Sequence, residues 1–307
     1  MKRKGLLTLM FGALAISALA SCGQTEPTST PSTTTGTVTT TPSTSAPTST
    51  PTSAPTSTPS TTTSTPTSAP TSTPSATTGT ATTPEVKVLS YTEYMAAEMN
   101  TEVTIEAYVQ AKQSWWSNKA TLYLADEDGA YFVYELPISE EDYNKLTEGT
   151  KIRVTGVKGE WSGEIEIMGS QAGSEGTFTI LDVKPYVSTA KELSLSADLT
   201  SYQNQRVAFK NLTVVAQDDG VSAFYYKWNN SGAAGQNHDL YFNVTDGTTT
   251  YSFTVESYLT AEGTDVYTAV TNLKVGDVIN LEGFLYWYNA PQLHTTKLEV
   301  VTPASTN

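Results

Sequence analysis

The 307-residue chain holds one cysteine, Cys22, and two histidines. A single thiol excludes an internal disulfide framework, so any folded part must be held by packed cores. His238 and His294 lie far apart and stand in no metal-ligand or Ser-His-Asp pattern, so both read as structural. No glycine-rich phosphate loop occurs. Asp126-Glu127-Asp128-Gly129 has calcium-like spacing but lacks the distal glutamate of such loops, and it reads as a solvated hairpin turn, as does Asp218-Asp219-Gly220. Basic residues are scarce: 17 Lys and Arg stand against 31 Asp and Glu, a net charge of −14, and no Lys/Arg cluster follows Lys2-Arg3-Lys4. Such a surface disfavours phosphate backbones and anionic membranes. These absences point away from an enzyme and from any metal or cofactor. The one catalytic arrangement worth weighing is Glu164 and Glu166, which share a strand face across Ile165, and a solvated face explains them equally well.

What is present begins with a leader. Lys2, Arg3 and Lys4 precede an apolar stretch, Gly5 to Leu19, of signal-peptide length and too short to span a bilayer comfortably. It ends in Leu19-Ala20-Ser21-Cys22, which resembles the bacterial lipobox. The resemblance implies cleavage after residue 21, lipidation of Cys22, and a chain anchored to the cell membrane and facing the exterior. Residues 22–84 are almost wholly Thr, Ser, Pro and Ala, with TPTSAPTSTPS written twice, at Thr50–Ser60 and Thr65–Ser75. With no apolar periodicity the tract cannot offset the entropy of folding, and it reads as a disordered, polyproline-like stalk. At about 3.1 Å per residue its reach is roughly 190 Å.

The remainder is globular in composition and contains an internal repeat. Leu122–Gly129 (LYLADEDG) returns as Leu240–Gly247 (LYFNVTDG), at an offset of 118. Asn100-Thr-Glu-Val-Thr-Ile matches Asn204-Gln-Arg-Val-Ala-Phe at 104, and Leu146–Gly156 matches Leu273–Gly283 at 127. The blocks keep their order while the offset grows, so the second copy carries insertions of about 14 and about 9 residues, which belong in loops. In the first copy alternation predicts strands at Val103–Lys112, Ala120–Ala125, Ala130–Glu135, Lys151–Glu160 and Glu164–Met168. A short helix capped by Ser139 falls between the third and fourth, and Gly156 is expected at a bulge. The order β-β-β-α-β-β is that of the OB barrel. The expected fold is all-β: two tandem five-stranded OB-fold barrels, at 85–186 and 187–303, after the disordered stalk.

Gly149-x-x-Ile-x-Val-x-Gly156, followed by Glu160-Trp161-Ser162-Gly163-Glu164-Ile165-Glu166-Ile167, resembles the OB-fold modules of secreted bacterial nucleases and related surface lipoproteins. The second copy, Tyr288-Asn289-Ala290-Pro291-Gln292-Leu293, departs by writing Ala-Pro where those modules write a turn glycine. The resemblance implies the fold. In those nucleases catalysis resides in another domain, and no stretch here resembles one.

An OB barrel binds on the face of strands two and three, between the loops joining strands 1–2 and 4–5. All five tryptophans map to those two loops. The candidate ligand-binding residues are Trp115, Trp116 and Trp161 in the first copy, and Tyr225, Tyr226, Trp228, Trp287 and Tyr288 in the second. Alternation from Ile279 through Leu285 also directs Trp287 inward, as a plug for the barrel end. Exposed rings stack on sugar faces or bases. The acidic balance favours a glycan or a protein as the extracellular ligand, with single-stranded nucleic acid as the alternative.

Overall fold

The computed structural model describes residues 86–171 and 173–305. Cys22, the leader and the stalk lie outside the described residues. The elements run α1 (Tyr91–Ala96), β1 (Glu102–Lys112), β2 (Lys119–Ala125), β3 (Ala130–Pro137), α2 (Glu140–Lys145), β4 (Lys151–Trp161) and β5 (Glu164–Met168). Short strands β6 (Ser170–Gln171) and β7 (Ser174–Glu175) and an edge strand β8 (Thr177–Leu181) follow. After β9 (Lys191–Glu192) and a 3-10 turn at Leu199–Tyr202 come β10 (Arg206–Val215), β11 (Phe224–Tyr226), β12 (Leu240–Thr245), β13 (Thr250–Val255), α3 (Asp265–Thr271), β14 (Val278–Trp287) and β15 (Pro291–Thr302).

Both sheets close. The first runs β1-β2-β3-β5-β4, and β4 pairs back onto β1; the second runs β12-β13-β15-β14-β10, and β10 pairs back onto β12. In each, strands three and five are parallel and every other pair of barrel strands is antiparallel. That is the five-stranded OB topology, written twice.

Period-two alternation sets which residues face the two cores. Ile105, Leu122, Leu124, Val133, Val154 and Ile167 fill the first; Val207, Phe209, Phe242, Phe253, Leu281 and Leu293 fill the second. The insertions fall in loops. Residues 216–239 carry the extra strand β11, which pairs antiparallel with β12, and residues 256–264 lengthen the approach to α3.

Gly156 stands at no bulge in the β1 ladder, where Val103 pairs with it in unbroken register. Glycine is needed there for another reason. β4 changes partner at this point, from β8 at Thr155 to β5 at Val157, and a Cβ would sit 2.9 Å from the Met168 carbonyl oxygen. The bulge appears instead at its counterpart, between Glu282 and Gly283 against β15, where a Cβ would lie 2.2 Å from the His294 carbonyl oxygen.

Helix α1 seals the first barrel. Its N-terminus is closed by a capping box, Ser90 with Glu93. Its C-terminal carbonyls, left open by a six-residue helix, are taken by one side chain: buried Lys158 donates from Nζ to the carbonyl oxygens of Tyr94, Met95 and Ala97, each at 2.8 Å. Three acceptors satisfy the three donors of the ammonium, which makes its burial tolerable. Lys158→Met strands the Met95 and Ala97 carbonyls, Tyr94 keeping the Ala97 N–H, and is expected to lower unfolding free energy by roughly 2–4 kcal/mol. Urea denaturation at neutral pH measures it; a change below about 0.5 kcal/mol, the range of an ordinary surface substitution, contradicts this account.

A shared aromatic cleft between the two barrels

The outward faces of the strands explain why the barrels are not separate. On β2 and β3, Tyr123 and Phe132 alternate with core residues yet are buried, and so is Phe284 on β14; the three form a small core of their own, with Tyr286 and Leu259 at its edge. Tyr123 stacks on Phe284 with ring centres 4.6 Å apart, and Tyr286 stacks on His294 at 4.3 Å. The Tyr123 hydroxyl lies 2.7 Å from His294 Nδ1 and accepts from Gln113 Nε2. That hydroxyl thus joins Gln113 of its own barrel to His294 of the other. Burial drives the imidazole pKa down to about 3, so His294 is neutral.

The two 4–5 hairpins also meet. Ser162 and Gly163 both adopt positive φ, and the Trp287 ring packs so close to Gly163 that a Cβ there would fall 2.6 Å from Cδ1. The Asn289 N–H donates to the Ser162 carbonyl, and Glu164 Oε2 accepts from the Trp287 N–H at 2.9 Å. Asn289 takes the left-handed conformation at φ 59°, so this hairpin closes without a turn glycine.

Glu164 and Glu166 are not on a solvated face. The second barrel covers β5, and both carboxyls are buried. Burial raises Glu164 well above the usual carboxylate range, and burial followed by the Glu135 charge raises Glu166 to about 7. Glu164 Oε1 and Asn204 Oδ1 are both buried and have no hydrogen-bond partner. Neither glutamate lines the cleft described next.

With these contacts made, the strand-two and strand-three faces of both barrels open onto one cleft of about 920 Å³. The sequence reading expects a cleft on each barrel; the structure merges them. Trp116, Trp161 and Trp228 line it and remain 63%, 61% and 75% exposed. Trp116 stands on a two-residue turn in which Ser117 and Asn118 both take positive φ, and it bridges to Lys119. Tyr225 and Tyr288 line the same space. Three candidates do not. Trp115 turns inward, its Nε1 donating to the Ile138 carbonyl at 3.0 Å; Tyr226 and Trp287 pack on the second core. Adjacent rings on an extended chain point to opposite sides, so one member of each aromatic pair is spent on packing.

Sequence reasoning missed the floor. A transverse row crosses four strands, Tyr225 opposite Tyr241, Tyr241 opposite Thr254 and Thr254 opposite His294, and all four line the cleft. Phe132, Tyr134 and Tyr286 join them from β3 and β14. The available signal was aromatic residues at the outward positions of alternating strands, where solvated faces carry polar ones.

The cleft is acidic. Glu135, Asp218, Asp239 and Glu256 line it against one lysine, Lys119, which pairs with Glu135 at 2.7 Å. Burial, then the adjacent Asp239, raises Glu256 to about 8. Among the described residues no group of three or more His, Cys, Asp or Glu is placed to hold a metal ion. Asp126 and Asp219 serve as turn acceptors, each Oδ1 binding two backbone N–H groups. His238 shares a hydrogen bond with Gln236 at 2.7 Å.

No protein-family model matches the chain, and no curated protein does. Among solved structures it is similar to the p204 HINb domain, at 13% identity over 67% of this chain and 100% of that one, TM-score 0.30. A murine DNA-binding protein solved with double-stranded DNA gives 11% identity over 66% and 98%, TM-score 0.32. A replication protein A heterotrimer bound to single-stranded DNA gives 12% over 71% and 70%, TM-score 0.24. At these values the OB assignment stands on strand order and closure alone.

The buried groups set a pH dependence. Glu164, Glu166 and Glu256 have folded pKa values raised from 4.5, to about 7 for Glu166 and about 8 for Glu256, so their stabilisation is complete below 4.5 and is lost as pH rises. His294 is lowered from 6.5 to about 3, so its contribution is complete above 6.5 and is lost toward 3. Where the windows overlap, three groups outweigh one. Thermal stability is expected to peak near pH 4.5 to 5 and to fall through pH 8, each uncompensated group contributing about 1.4 kcal/mol per pH unit. Melting temperatures across pH 3–9 test this, and Glu164→Gln with Glu256→Gln should flatten the alkaline arm. A melting temperature that rises from pH 5 to 8 refutes the assignment.

Proposed function

We propose that this chain is a non-enzymatic capture protein, tethered to the outer face of a cell membrane through Cys22 and its Thr/Ser/Pro tract, that binds an extended glycan in the shared cleft. One observation carries the ligand class. Trp116, Trp161 and Trp228, from three loops on two barrels, expose their rings to a single cleft whose ionisable side chains include four carboxyls and one already paired lysine. Ring faces stack on the apolar faces of pyranose rings, while carboxylates and the amides of Asn243 and Gln292 accept and donate to hydroxyls. Room of about 920 Å³ takes a short oligosaccharide rather than one monomer. The tether rests on the lipobox-like Leu19–Cys22 and on the composition of residues 22–84.

The second reading is single-stranded nucleic acid. The same rings would stack bases, and the strand-two and strand-three faces are where OB barrels hold such strands. Two of the neighbours above are DNA complexes, at a likeness too low to transfer their ligand. Against it stands the scarcity of cations to meet phosphates.

Tryptophan fluorescence of the full chain decides between them, titrated with neutral oligosaccharides and with single-stranded oligonucleotides at about 50 and 200 mM salt. Saturable, nearly salt-independent quenching by an oligosaccharide is expected, weakened at least tenfold in Trp116→Ala/Trp228→Ala and unchanged in Trp115→Phe, whose ring is spent on the barrel. Quenching by oligonucleotides that collapses with salt assigns nucleic acid instead and overturns the glycan reading.

A further inference from the structure

Resting on the reading that the cleft binds a glycan, we infer that its second-barrel end is built for a protonated amine, so that the glycan is an amino-sugar chain carrying free amino groups. Asp239 leads into β12 and Glu256 leaves β13, and both line the cleft. Each carboxyl is aimed by one of its oxygens. Asp239 Oδ1 accepts from the Ser257 N–H at 2.9 Å and from its hydroxyl at 2.6 Å; Glu256 Oε2 accepts from the N–H groups of Tyr258 and Leu259, each at 3.1 Å. Asp239 Oδ2 and Glu256 Oε1 accept from no donor among the described residues, and both are left for the cleft. Among the described residues neither has a lysine or arginine within ion-pair distance. The protein has thus fixed two carboxyls side by side and supplied no cation, although burial and mutual repulsion make that arrangement costly.

A second observation, independent of the acids, marks the place as unfinished without a ligand. Thr254 stands two residues before Glu256, on the same face of β13. Its side chain is 2% exposed, it lines the cleft, and its Oγ1 has no hydrogen-bond partner. A buried hydroxyl without a partner costs about 1–3 kcal/mol. Tyr225, Tyr241, Tyr258 and Trp228 line the same cleft. Rings with a carboxylate floor are the setting in which an ammonium is held by cation–π attraction and charge together. An N-acetyl group satisfies neither the charge nor the ring faces in this way.

The test compares two ligands of equal length on the unmodified full chain: a β-1,4-linked glucosamine hexamer and its fully N-acetylated counterpart, titrated by tryptophan fluorescence at pH 6 and constant salt. The free-amine hexamer is expected to bind roughly tenfold tighter or better. Glu256→Gln and Asp239→Asn should remove that preference, weakening the free-amine hexamer about tenfold more than the acetylated one. Equal affinity of the unmodified chain for the two hexamers overturns the amine assignment and leaves the glycan reading standing. Binding of neither, with oligonucleotide binding intact, overturns both. Should either variant lose its fold by circular dichroism, Tyr258→Ala replaces it, since that ring is 53% exposed and lies outside both cores; an undiminished preference in Tyr258→Ala and in whichever carboxyl variant folds also overturns the assignment.

Discussion

Everything distinctive in this structure depends on a small aromatic weld. Tyr123, Phe132 and Phe284 occupy outward strand positions and are nonetheless buried, because each barrel supplies the other's missing cover. The buried hydrogen bond between Tyr123 and neutral His294 gives the contact direction as well as area. Burial keeps that imidazole uncharged. Were these faces solvated, each OB barrel would present its own shallow groove. Held together, two shallow grooves become opposite walls of one deep cleft.

The weld also decides where charge resides. Covering β5 buries Glu164 and Glu166, and closing the cleft half-buries Glu256 beside Asp239. Carboxyls taken from water hold their protons more tightly, so the contacts that build the cleft also make its stability sensitive to alkali. The acidic balance of the chain therefore does two different things. Most of it is solvated turn and strand-face chemistry. A few groups are committed to the interface and to the cleft wall, where a charge is worth far more.

The division of labour among the aromatics follows from local geometry. Trp115 and Trp116 are neighbours, yet one donates a hydrogen bond inside the barrel wall and the other stands 63% exposed on a tight turn. Tyr225 faces the cleft and Tyr226 the second core for the same reason. Trp287 ends a strand whose alternate residues are core, so it packs inward against Gly163, while Tyr288 one step later reaches the cleft.

The sequence by itself determined the repeat, the barrel strands of the first copy, the helix capped by Ser139 and the OB order, because those depend on alternation, capping and turn chemistry within short stretches. It also located the exposed tryptophans, since loop position between strands is a local property. Only the tertiary structure decided that the outward faces of β2, β3, β5, β14 and β15 are buried against one another, and hence that there is one cleft and not two. Alternation tells which residues leave a strand on the far side from its own core. It carries no information about what lies there, water or a second barrel, and Tyr123, Glu164 and His294 take their entire character from that difference.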